Sequence, residues 1–556
     1  MSEERILPYS YHTFVYPFSF EDIEKLNIND VGIWKQEPFD IKDKEFNTKL
    51  DNASQEEKDK YRLQYGAYQY FFPKAQKNMF NVKDSEDIST LYEYIFNKEA
   101  STFTISKGNK NIELRIEAIR VNIFTRLQVG VVSFELEYYP TEEQNHFEDA
   151  LFINAFGRRL FPPYLVQPET KLPTADTIEV VLIQSKNIEP INYKKKNNEF
   201  NDEPTLIRKL LTDSEEKEVI SPILDDRMFV MSLVRDERLS DSNNLKRIWS
   251  NIKKFGVEKE EDSSIAEKIY IDSTVEKLYK FLFVDDDFCT CQNDEMLRQK
   301  LQDHLYPRWI NYGTIHGITE YSMVCVTGTS QKDTVDSVIN PFLVHYTEMV
   351  KLALIQRASL VKLETEISKI CTIMSSREDG SKNQENKNSN FDQSISKNIQ
   401  DIWKDYILFQ NQILLPEITF QEQGIELYQM LKRDLKIEVM NEYIGSILNN
   451  LHEMSSMENS EVEKRASEKL NQSLNLLAVL GTILALISVA QDYLGEDIDV
   501  FVIVKYFLGF LFVLGPIWFG YKIFMKLSDT ERGNKRKVWF VILWIITLLV
   551  PFLMSI

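Results

Sequence analysis

Three long apolar runs close the sequence, and they restrict the possible folds of the chain more than any other feature. The runs extend from Leu474 to Leu494, from Val500 to Met525 and from Val538 to Ile556. Each run is close to the roughly 20 residues that an α-helix needs to cross the hydrocarbon core of a bilayer. Three such runs in succession are not expected in a water-soluble domain. Residues 471–556 are therefore predicted to form an α-helical transmembrane bundle, with spans at about 474–494, 500–525 and 538–556.

The charges of the two loops between these runs indicate the orientation of the bundle. Residues 491–499 carry four acidic residues and no basic one, whereas residues 526–537 carry five basic residues. Because loops rich in lysine and arginine stay on the cytoplasmic side, the second loop and the large N-terminal part are predicted to be cytoplasmic. Residues 1–20 contain no basic segment followed by an apolar one, so no cleavable signal peptide is expected. The prediction is a multi-pass protein of the inner (plasma) membrane.

A polar stripe runs along one face of the first predicted span. Its members recur at spacings of three and four residues, which places them on one face of a helix. They are Asn471, Asn475, Ala478, Thr482, Ala485 and Ser488. In lipid, such a face packs against another helix or lines water. Two interpretations stay open, namely close packing by small residues and the lining of a pore.

The residues before the first span are predicted to form a helical stalk, residues 336–470. A coiled-coil seam with 3-4-3-4-3 spacing comprises Ile437, Met440, Ile444, Ile447, Leu451 and Met454. The absence of proline between Pro416 and Pro516 favours one continuous helix from about Glu417 to Ala490. Its antiparallel partners are the apolar helices predicted at Pro341–Met374 and Gln393–Leu415, joined by a flexible polar linker at residues 375–390.

Residues 1–335 are predicted to form an α+β cytosolic domain that senses a ligand. Strands are predicted at Tyr11–Phe18, Ser101–Ile105, Glu113–Phe124, Gln128–Tyr139, Thr177–Gln184, Met228–Val234 and Thr314–Thr327. Helices are predicted at Gln144–Phe156, Ser273–Phe281 and Asp294–Leu305. The whole chain thus combines an α+β domain, long antiparallel or coiled-coil stalk helices and a transmembrane bundle.

Charge and motifs argue against several classes of function. The chain has 65 basic and 85 acidic residues and a formal charge of −20, so no nucleic-acid polymer is expected as a partner. There is no phosphate-binding Gly-rich loop, nucleophile elbow or zinc-protease motif, and an enzyme is not expected. The four cysteines are too few for a disulfide framework. The pair Cys289 and Cys291 lacks the spacing of a zinc site, so neither a metal nor a cofactor is predicted.

Two segments combine arginine, tyrosine and histidine in a way that suits an anionic, base-containing ligand. The candidate ligand-binding residues are Arg158, Arg159 and Tyr164 in the first segment, and Tyr312, His316 and Tyr321 in the second. Guanidinium forks bind phosphate, and aromatic rings stack on bases. The alternative interpretation is structural, with surface arginines at a helix end in the first segment and strand packing in the second.

The order of a cytosolic α/β domain, an antiparallel helix pair, a long stalk helix and C-terminal spans resembles the CorA family of divalent-cation channels. The segment from Lys469 to Leu484 is similar to that family's first span, and the resemblance covers about residues 340–525. It implies a homo-oligomer in the bilayer, with a pentamer by family analogy. CorA channels carry Gly-Met-Asn at the outer end of this span, where the present chain has Gln491-Asp-Tyr-Leu-Gly495.

A subgroup of CorA-like proteins without Gly-Met-Asn is associated with type III CRISPR antiviral systems. Three segments are similar to it: Tyr11–Phe18, Arg159–Pro163 and Tyr312–Ile318. The resemblance implies a membrane effector that is gated by a nucleotide second messenger, expected to be a conjugate of S-adenosylmethionine with AMP. Opening or disrupting the membrane would then arrest the infected cell. The alternatives are a magnesium or other divalent-cation transporter and, less favoured, a membrane-tethered hydrolase that degrades the messenger.

Overall fold

The structure is a computed structural model, and it divides the chain into two compact units, Met1–Ser455 and Ser456–Ile556. Each unit is described by itself below. The described residues are 7–29, 33–36, 54–80, 89–140, 146–159, 175–183, 191–196, 205–212, 219–224, 227–253, 265–285, 288–329, 334–380 and 388–494. The second and third predicted spans, 500–525 and 538–556, therefore lie outside the described residues.

One mixed sheet of 13 strands organises the described part of the first unit. The strands are β1 (Ser10–Phe20), β2 (Trp34–Gln36), β3 (Thr90–Tyr94), β4 (Thr102–Lys107), β5 (Lys110–Phe124), β6 (Val129–Tyr138), β7 (Thr177–Leu182), β8 (Ile191–Lys196), β9 (Ile220–Pro222), β10 (Phe229–Arg235), β11 (Leu305–Tyr306), β12 (Ile315–Ile318) and β13 (Ser322–Thr327). The main order is β11-β12-β13-β10-β1-β6-β5-β4-β7-β8, with β9 beside β1, β3 beside β5 and β2 beside β3. Strands β10 and β13 run parallel, which makes the sheet mixed.

The central strand β1 is buried on both faces of the sheet, and its residues alternate between two hydrophobic cores. Tyr11 and Val15 belong to a core that the sheet shares with the long helices. Phe14 and Tyr16 belong to a second core on the opposite face. Both cores need this strand, which is why nearly every residue of β1 is buried.

The helices lie on both faces of this sheet. They are α1 (Gln55–Tyr70), α2 (Pro73–Met79), α3 (His146–Gly157), α4 (Thr205–Leu211), α5 (Glu237–Ser240), α6 (Ser242–Lys253), α7 (Ile265–Phe283), α8 (Asp294–His304), α9 (Thr347–Gly380), α10 (Asn388–Leu408), α11 (Glu422–Asp434) and α12 (Ile437–Leu494). Side chains of α9, α10, α11 and the start of α12 form one core with the first face of the sheet. An α/β region with a mixed sheet followed by a helical C-terminal region is thus the architecture of the chain.

The most apolar helix of the described residues begins with π-helical turns and continues into α9. Among those residues it is the one helix, Val335–Met374, whose length and composition would allow it to cross a membrane. However, 61% of its most apolar window is buried inside the protein. Its apolar character is explained by packing against the sheet on one side and against α10 and α11 on the other.

The single helix predicted from Glu417 to Ala490 is divided in the structure. Helix α11 ends at Asp434, and Lys436 adopts a left-handed conformation with φ of 55° before α12 begins. A left-handed lysine costs roughly 1–2 kcal/mol, so surrounding contacts must hold it. No glycine or proline marks the break in the sequence, and it was therefore not predicted. The α11 side chains Leu427, Tyr428 and Leu431 pack in the same core as Ile437 and Ile444 of α12.

Two further expectations differ from the structure in detail. The strand predicted at Thr314–Thr327 is two antiparallel strands, β12 and β13, because a tight turn at Thr319–Ser322 interrupts it. The linker predicted at residues 375–390 is helical at both ends, since α9 continues to Gly380 and α10 begins at Asn388. The remaining linker residues lie outside the described part of the chain.

Replacing Gly130 by alanine is expected to destabilise the sheet. An added Cβ would lie 2.5 Å from Phe18 Cζ and 3.0 Å from Ile123 Cδ1. Both of these side chains are buried in the second core. Overpacking of this kind costs about 1–3 kcal/mol, which should lower the thermal unfolding midpoint. Gly66→Ala in α1 is the matched control because no atom lies within 4 Å of its added Cβ. Helix propensity should make the control neutral or stabilising by about 0.5–1 kcal/mol, and equal destabilisation by both variants would contradict this packing.

Candidate functional site

Two arginine side chains from distant parts of the sequence lie close to the ring of Tyr321. The Arg158 guanidinium carbon is 5.8 Å from the centre of the Tyr321 ring, and that of Arg227 is 5.0 Å from it. Arg159 joins the group through its backbone, which forms an isolated bridge with Arg227. We refer to Arg158, Arg159, Arg227 and Tyr321 as the Arg–Tyr cluster. It unites residues from both segments that the sequence singles out.

The end of helix α3 positions the two neighbouring arginines. A Cβ added to Gly157 would lie 2.8 Å from both Ile105 Cδ1 and Phe14 Cζ, so only glycine lets the helix end approach the sheet this closely. The chain then leaves the helix, and the Met228 amide donates to the Arg158 carbonyl at 2.8 Å. Arg158 and Arg159 are held against the sheet as a result, with only 9% and 8% of their surfaces exposed.

The turn between β12 and β13 presents Tyr321 to these arginines. The Thr319 amide donates to the Ser322 carbonyl at 2.8 Å, which closes the turn. The Thr319 hydroxyl accepts from the amides of Tyr321 and Ser322 at 3.2 and 3.1 Å. The Tyr321 carbonyl in turn accepts from the Val230 amide at 3.0 Å. These bonds fix the backbone of the turn against β10, and the Tyr321 side chain extends from it towards Arg158 and Arg227.

Two cations, Arg158 and Arg227, and the carboxylate of Glu320 act on Tyr321 among the described residues. A hydrogen bond to Glu320 and burial raise the pKa of Tyr321, while the charges of Arg227 and Arg158 oppose this increase. Arg158 also donates from Nη2 to the Val284 carbonyl at 3.3 Å, so it caps the end of α7. Val284 is itself left-handed, with φ of 56°. The cluster can therefore offer guanidinium groups to a phosphate and an aromatic face to a base, while Arg158 retains a structural contact.

The structure places His316 away from the cluster. His316 lies on β12 and is 2% exposed, and its ring packs 6.5 Å from Phe342 and 6.0 Å from Tyr346. These residues precede α9 and belong to the core on the first face of the sheet, whereas α3 packs on the second. Burial lowers the pKa of His316 to about 4, and neither ring nitrogen has a hydrogen-bond partner among the described residues. This environment is that of a neutral core histidine.

The other two candidate ligand residues are placed differently again. Tyr312 ends a short 3₁₀ turn, is 80% exposed and has its ring centre 5.9 Å from that of Trp309. No described contact joins it to the Arg–Tyr cluster. Tyr164 lies outside the described residues.

The candidate pore-lining residues belong to helix α12. Asn471, Asn475, Ala478 and Thr482 are exposed, and the Thr482 hydroxyl donates to the Ala478 carbonyl at 2.8 Å. Ala485 and Ser488 lie on the same helix, but their side chains are outside the description. The helical backbone keeps the stripe on one face.

One member of the cluster, Arg227, and the residue before Tyr321, Glu320, are not among the candidates identified from the sequence. Arg227 directly precedes the strand predicted at Met228–Val234, and Glu320 directly precedes Tyr321. Neither has a local motif. Arg227 comes close to Tyr321 and Arg159 through the pairing of β10 with β13 and the isolated bridge to Arg159, which are long-range features.

A second candidate site, large enough for a small ligand, lies on the surface of the sheet. It is a cleft of about 580 Å³, and its lining includes Arg115, Glu137 and Tyr139. None of the candidate ligand residues from the sequence lines it. The cleft carries charges of both signs, whereas the Arg–Tyr cluster is mainly cationic, so the cluster suits an anionic ligand better.

Comparison with known proteins finds no matching family model, no similar curated protein and no similar solved structure. Within the described residues, no group of three or more histidine, cysteine, aspartate or glutamate side chains could hold a metal ion. The function must therefore be argued from the chain itself.

Replacing His316 by phenylalanine is expected to reduce the loss of stability in acid. In the folded protein its pKa is about 4, against 6.5 for the free side chain, so only the unfolded chain takes up this proton between those values. Stability therefore falls as the pH drops from 6.5 to 4. At pH 5 this proton uptake by the unfolded chain lowers the free energy of unfolding by about 2 kcal/mol relative to neutral pH. Urea unfolding at pH 7 and pH 5 should show a smaller difference for His316→Phe than for the original chain.

Tyr312→Phe is the control for this experiment, because it also changes an aromatic side chain of this segment, but one that is exposed and outside the core around His316. It should retain the full acid-dependent loss. An unchanged pH dependence in His316→Phe would show that the histidine is not buried in its neutral form.

Proposed function

We propose that this chain is a ligand-gated membrane effector whose cytosolic domain binds a nucleotide-like second messenger. The observation that supports this proposal most strongly is the Arg–Tyr cluster, in which two guanidinium carbons lie 5.8 and 5.0 Å from the centre of one tyrosine ring. A phosphate would be bound by the arginines, and a base would stack on the ring. The resemblance to CorA-like proteins of type III CRISPR systems suggests a conjugate of S-adenosylmethionine with AMP as the messenger. No catalytic step is part of the proposal.

The second unit is the part of the chain that we propose to be inserted in the membrane. Six large apolar side chains of α12 are between 48% and 63% exposed: Leu470, Leu474, Leu476, Leu477, Val479 and Leu480. A run of exposed leucines is unfavourable in water and marks a surface that lipid or protein covers. Five of the six lie within the first predicted span, and two more apolar runs follow in the sequence. We therefore propose three spans in the inner membrane, with the first unit in the cytoplasm.

Self-association is a further part of the proposal. Residues Ile444, Leu448 and Leu451 of α12 are buried in the core of the first unit. Val439, Tyr443 and Met454 of the same helix are 68%, 54% and 51% exposed. An apolar surface of this kind suits another copy of the chain. A homo-oligomer, with a pentamer by family analogy, would then place the polar stripe of several first spans around a common axis.

A route between the sheet and the helical region exists within the first unit. Arg308, just after β11, pairs with Glu422 and Glu426 of α11 at 2.6 and 2.8 Å. His304 of α8 contacts Asp434 at the other end of α11 at 3.1 Å. A ligand can act only if it favours one arrangement of these elements over another. Helix α11 leads into α12, so a shift of α11 would reach the segment that continues towards the membrane.

The alternative function is transport of magnesium or another divalent cation. The acidic loop 491–499, on the outer side of the predicted bundle, favours this alternative because it would attract cations. The absence of Gly-Met-Asn argues against it. Growth of a magnesium-transport-deficient strain at low magnesium would support transport, and failure to grow would leave the effector proposal.

Arg227→Ala is expected to weaken binding of the nucleotide conjugate by about tenfold to a hundredfold. Loss of a hydrogen bond to a charged group costs about 1.5–3 kcal/mol. Binding should be measured by calorimetry on the purified full chain in detergent, with ATP and S-adenosylmethionine as competing ligands. Arg227 is preferred to Arg158 because Arg158 also caps α7, and its loss would disturb folding.

Two arginine variants serve as controls for this measurement. Arg62→Ala removes a side chain that is 73% exposed on α1 and should bind normally. Arg115→Ala removes the arginine of the sheet-surface cleft. Loss of binding in Arg115→Ala with normal binding in Arg227→Ala would move the ligand site to the cleft. Absence of binding to the original chain would contradict the effector proposal.

The full chain is expected to remain in the membrane pellet after extraction with alkaline carbonate. Leu480→Arg places a charge inside the first predicted span, where it costs at most about 2.5–3.5 kcal/mol, the value at the centre of a span, and should reduce the pelleted fraction. Leu470→Arg is the matched control, because this exposed leucine precedes the span. Complete release of the original chain into the supernatant would contradict membrane insertion.

A further inference from the structure

His12, near the start of β1, forms three hydrogen bonds in the interior of the first unit. Its Nδ1 lies 2.7 Å from Asn154 Oδ1 and 3.2 Å from Ser232 Oγ, and its Nε2 lies 2.8 Å from Ser10 Oγ. All four side chains are at most 1% exposed. Burial lowers the pKa of His12 to about 4, so the ring is neutral near pH 7. A neutral ring has one donor nitrogen and one acceptor nitrogen.

The partners of His12 determine which of its nitrogens carries the proton. The Asn154 oxygen can only accept, so His12 donates from Nδ1, and the Ser232 oxygen accepts from the same N–H. Nε2 is then the acceptor for the Ser10 hydroxyl. Ser10, His12 and Asn154 have the order of a nucleophile, a base and an orienting group, but Ser10 is 0% exposed and no substrate reaches it. These bonds therefore hold structural elements together.

The elements that His12 joins are those that carry the Arg–Tyr cluster. Asn154 lies on α3, one helical turn before the two arginines that follow this helix. Ser232 lies on β10, directly opposite His12 in the pairing of β1 with β10. Strand β10 follows Arg227 and runs parallel to β13, which begins directly after Tyr321. One side chain thus bonds both to the helix and to the strand from which the cluster is built.

The two ends of α3 are held in different ways. Near its start, Asp149 accepts from the Tyr138 hydroxyl at 2.8 Å and pairs with Lys110 at 2.6 Å. Near its end, the residues on either side of Asn154 are apolar and belong to the second core. Apolar contacts are non-directional, so they allow this end of the helix to turn or slide on the sheet. The hydrogen bond from His12 is directional and opposes both movements.

From this arrangement we infer that the hydrogen bond between His12 and Asn154 sets the position of Arg158 and Arg159 in the Arg–Tyr cluster. The consequence for ligand binding rests on the function proposed above. His12 and Asn154 are positioning residues, because both are buried and neither touches the ligand. Without their bond the end of α3 shifts, and the guanidinium groups no longer meet one phosphate in the arrangement that the folded chain prepares.

Two substitutions of Asn154 test this inference on the full chain in detergent. Asn154→Leu fills a similar volume but removes the oxygen that accepts from His12. It should weaken binding of the S-adenosylmethionine–AMP conjugate about tenfold, the effect of losing one hydrogen bond to a charged group. Asn154→Asp keeps an acceptor oxygen and loses no hydrogen bond, since Asn154 Nδ2 has no partner among the described residues. It should bind within about threefold of the original chain, less than the loss of such a bond.

Hydrogen exchange gives a second measurement that needs no ligand. The Met228 amide donates to the Arg158 carbonyl at 2.8 Å, so its exchange reports whether the end of α3 stays in place. Peptides that contain Met228 should exchange about tenfold faster in Asn154→Leu than in the original chain, and at the original rate in Asn154→Asp. Gly130→Ala is the control for stability, because its added Cβ meets Phe18 and Ile123 rather than His12 or Asn154. It should unfold at a lower temperature and bind the conjugate normally.

The outcomes separate this inference from the proposed function. If the original chain does not bind the conjugate but exchange at Met228 rises in Asn154→Leu alone, the proposed function fails and the positioning role stands. Unchanged exchange in Asn154→Leu, or unchanged binding where the original chain binds, would overturn the inference. Equal loss of binding in Asn154→Asp or in Gly130→Ala would also overturn it, because binding would then follow stability rather than the acceptor oxygen. If thermal unfolding shows that Asn154→Leu is not folded, Asn154→Ala takes its place.

Discussion

The packing of one apolar helix against the sheet determines the arrangement of the first unit. Helix α9 and the π-helical turns before it bury Phe342, Met349 and Ile355 against the first face of the sheet. Within this core, Gln356 donates from Nε2 to the Ile413 carbonyl at 2.7 Å and to the Tyr428 hydroxyl at 2.9 Å. A buried amide that satisfies partners near the end of α10 and on α11 fixes the register of three helices. The start of α12 then packs on the same core, so the sheet and the helices leading to the C-terminus share one hydrophobic interior.

Local sequence patterns were sufficient to predict much of the secondary structure. Features that depend on contacts between residues distant in the sequence could not be predicted. Strands β1, β5, β6 and β10 were predicted within a few residues because their β-branched and aromatic runs are long and bounded by polar residues. Helices α1 and α6 were not predicted, since the first has few apolar residues and most residues of the second are polar. The break at Lys436 has no glycine or proline to mark it, because tertiary contacts hold this residue in its left-handed conformation.

The candidate ligand residues illustrate the same limit. Arg158 and Tyr321 were both selected from the sequence, and the structure brings them together across 163 residues. His316 was selected for its neighbours in the chain, but a strand alternates its side chains between faces, and His316 points into the opposite core. Arg227 could not be identified beforehand, because its role depends on an isolated bridge to Arg159. Residue type indicated the chemistry of the cluster, whereas strand pairing decided its membership.

The proposed function joins two observations that lie in different units of the chain: a cationic and aromatic cluster in the first and exposed leucines on α12 in the second. The central claim is that a nucleotide conjugate binds the cluster of a protein anchored by three spans. Its most direct test is a cryo-electron microscopy structure of the full chain in lipid nanodiscs with the S-adenosylmethionine–AMP conjugate. We expect ligand density against Arg158, Arg227 and Tyr321, together with three helices per subunit across the disc. Ligand density in the cleft at Arg115, or no helices within the lipid, would contradict the account.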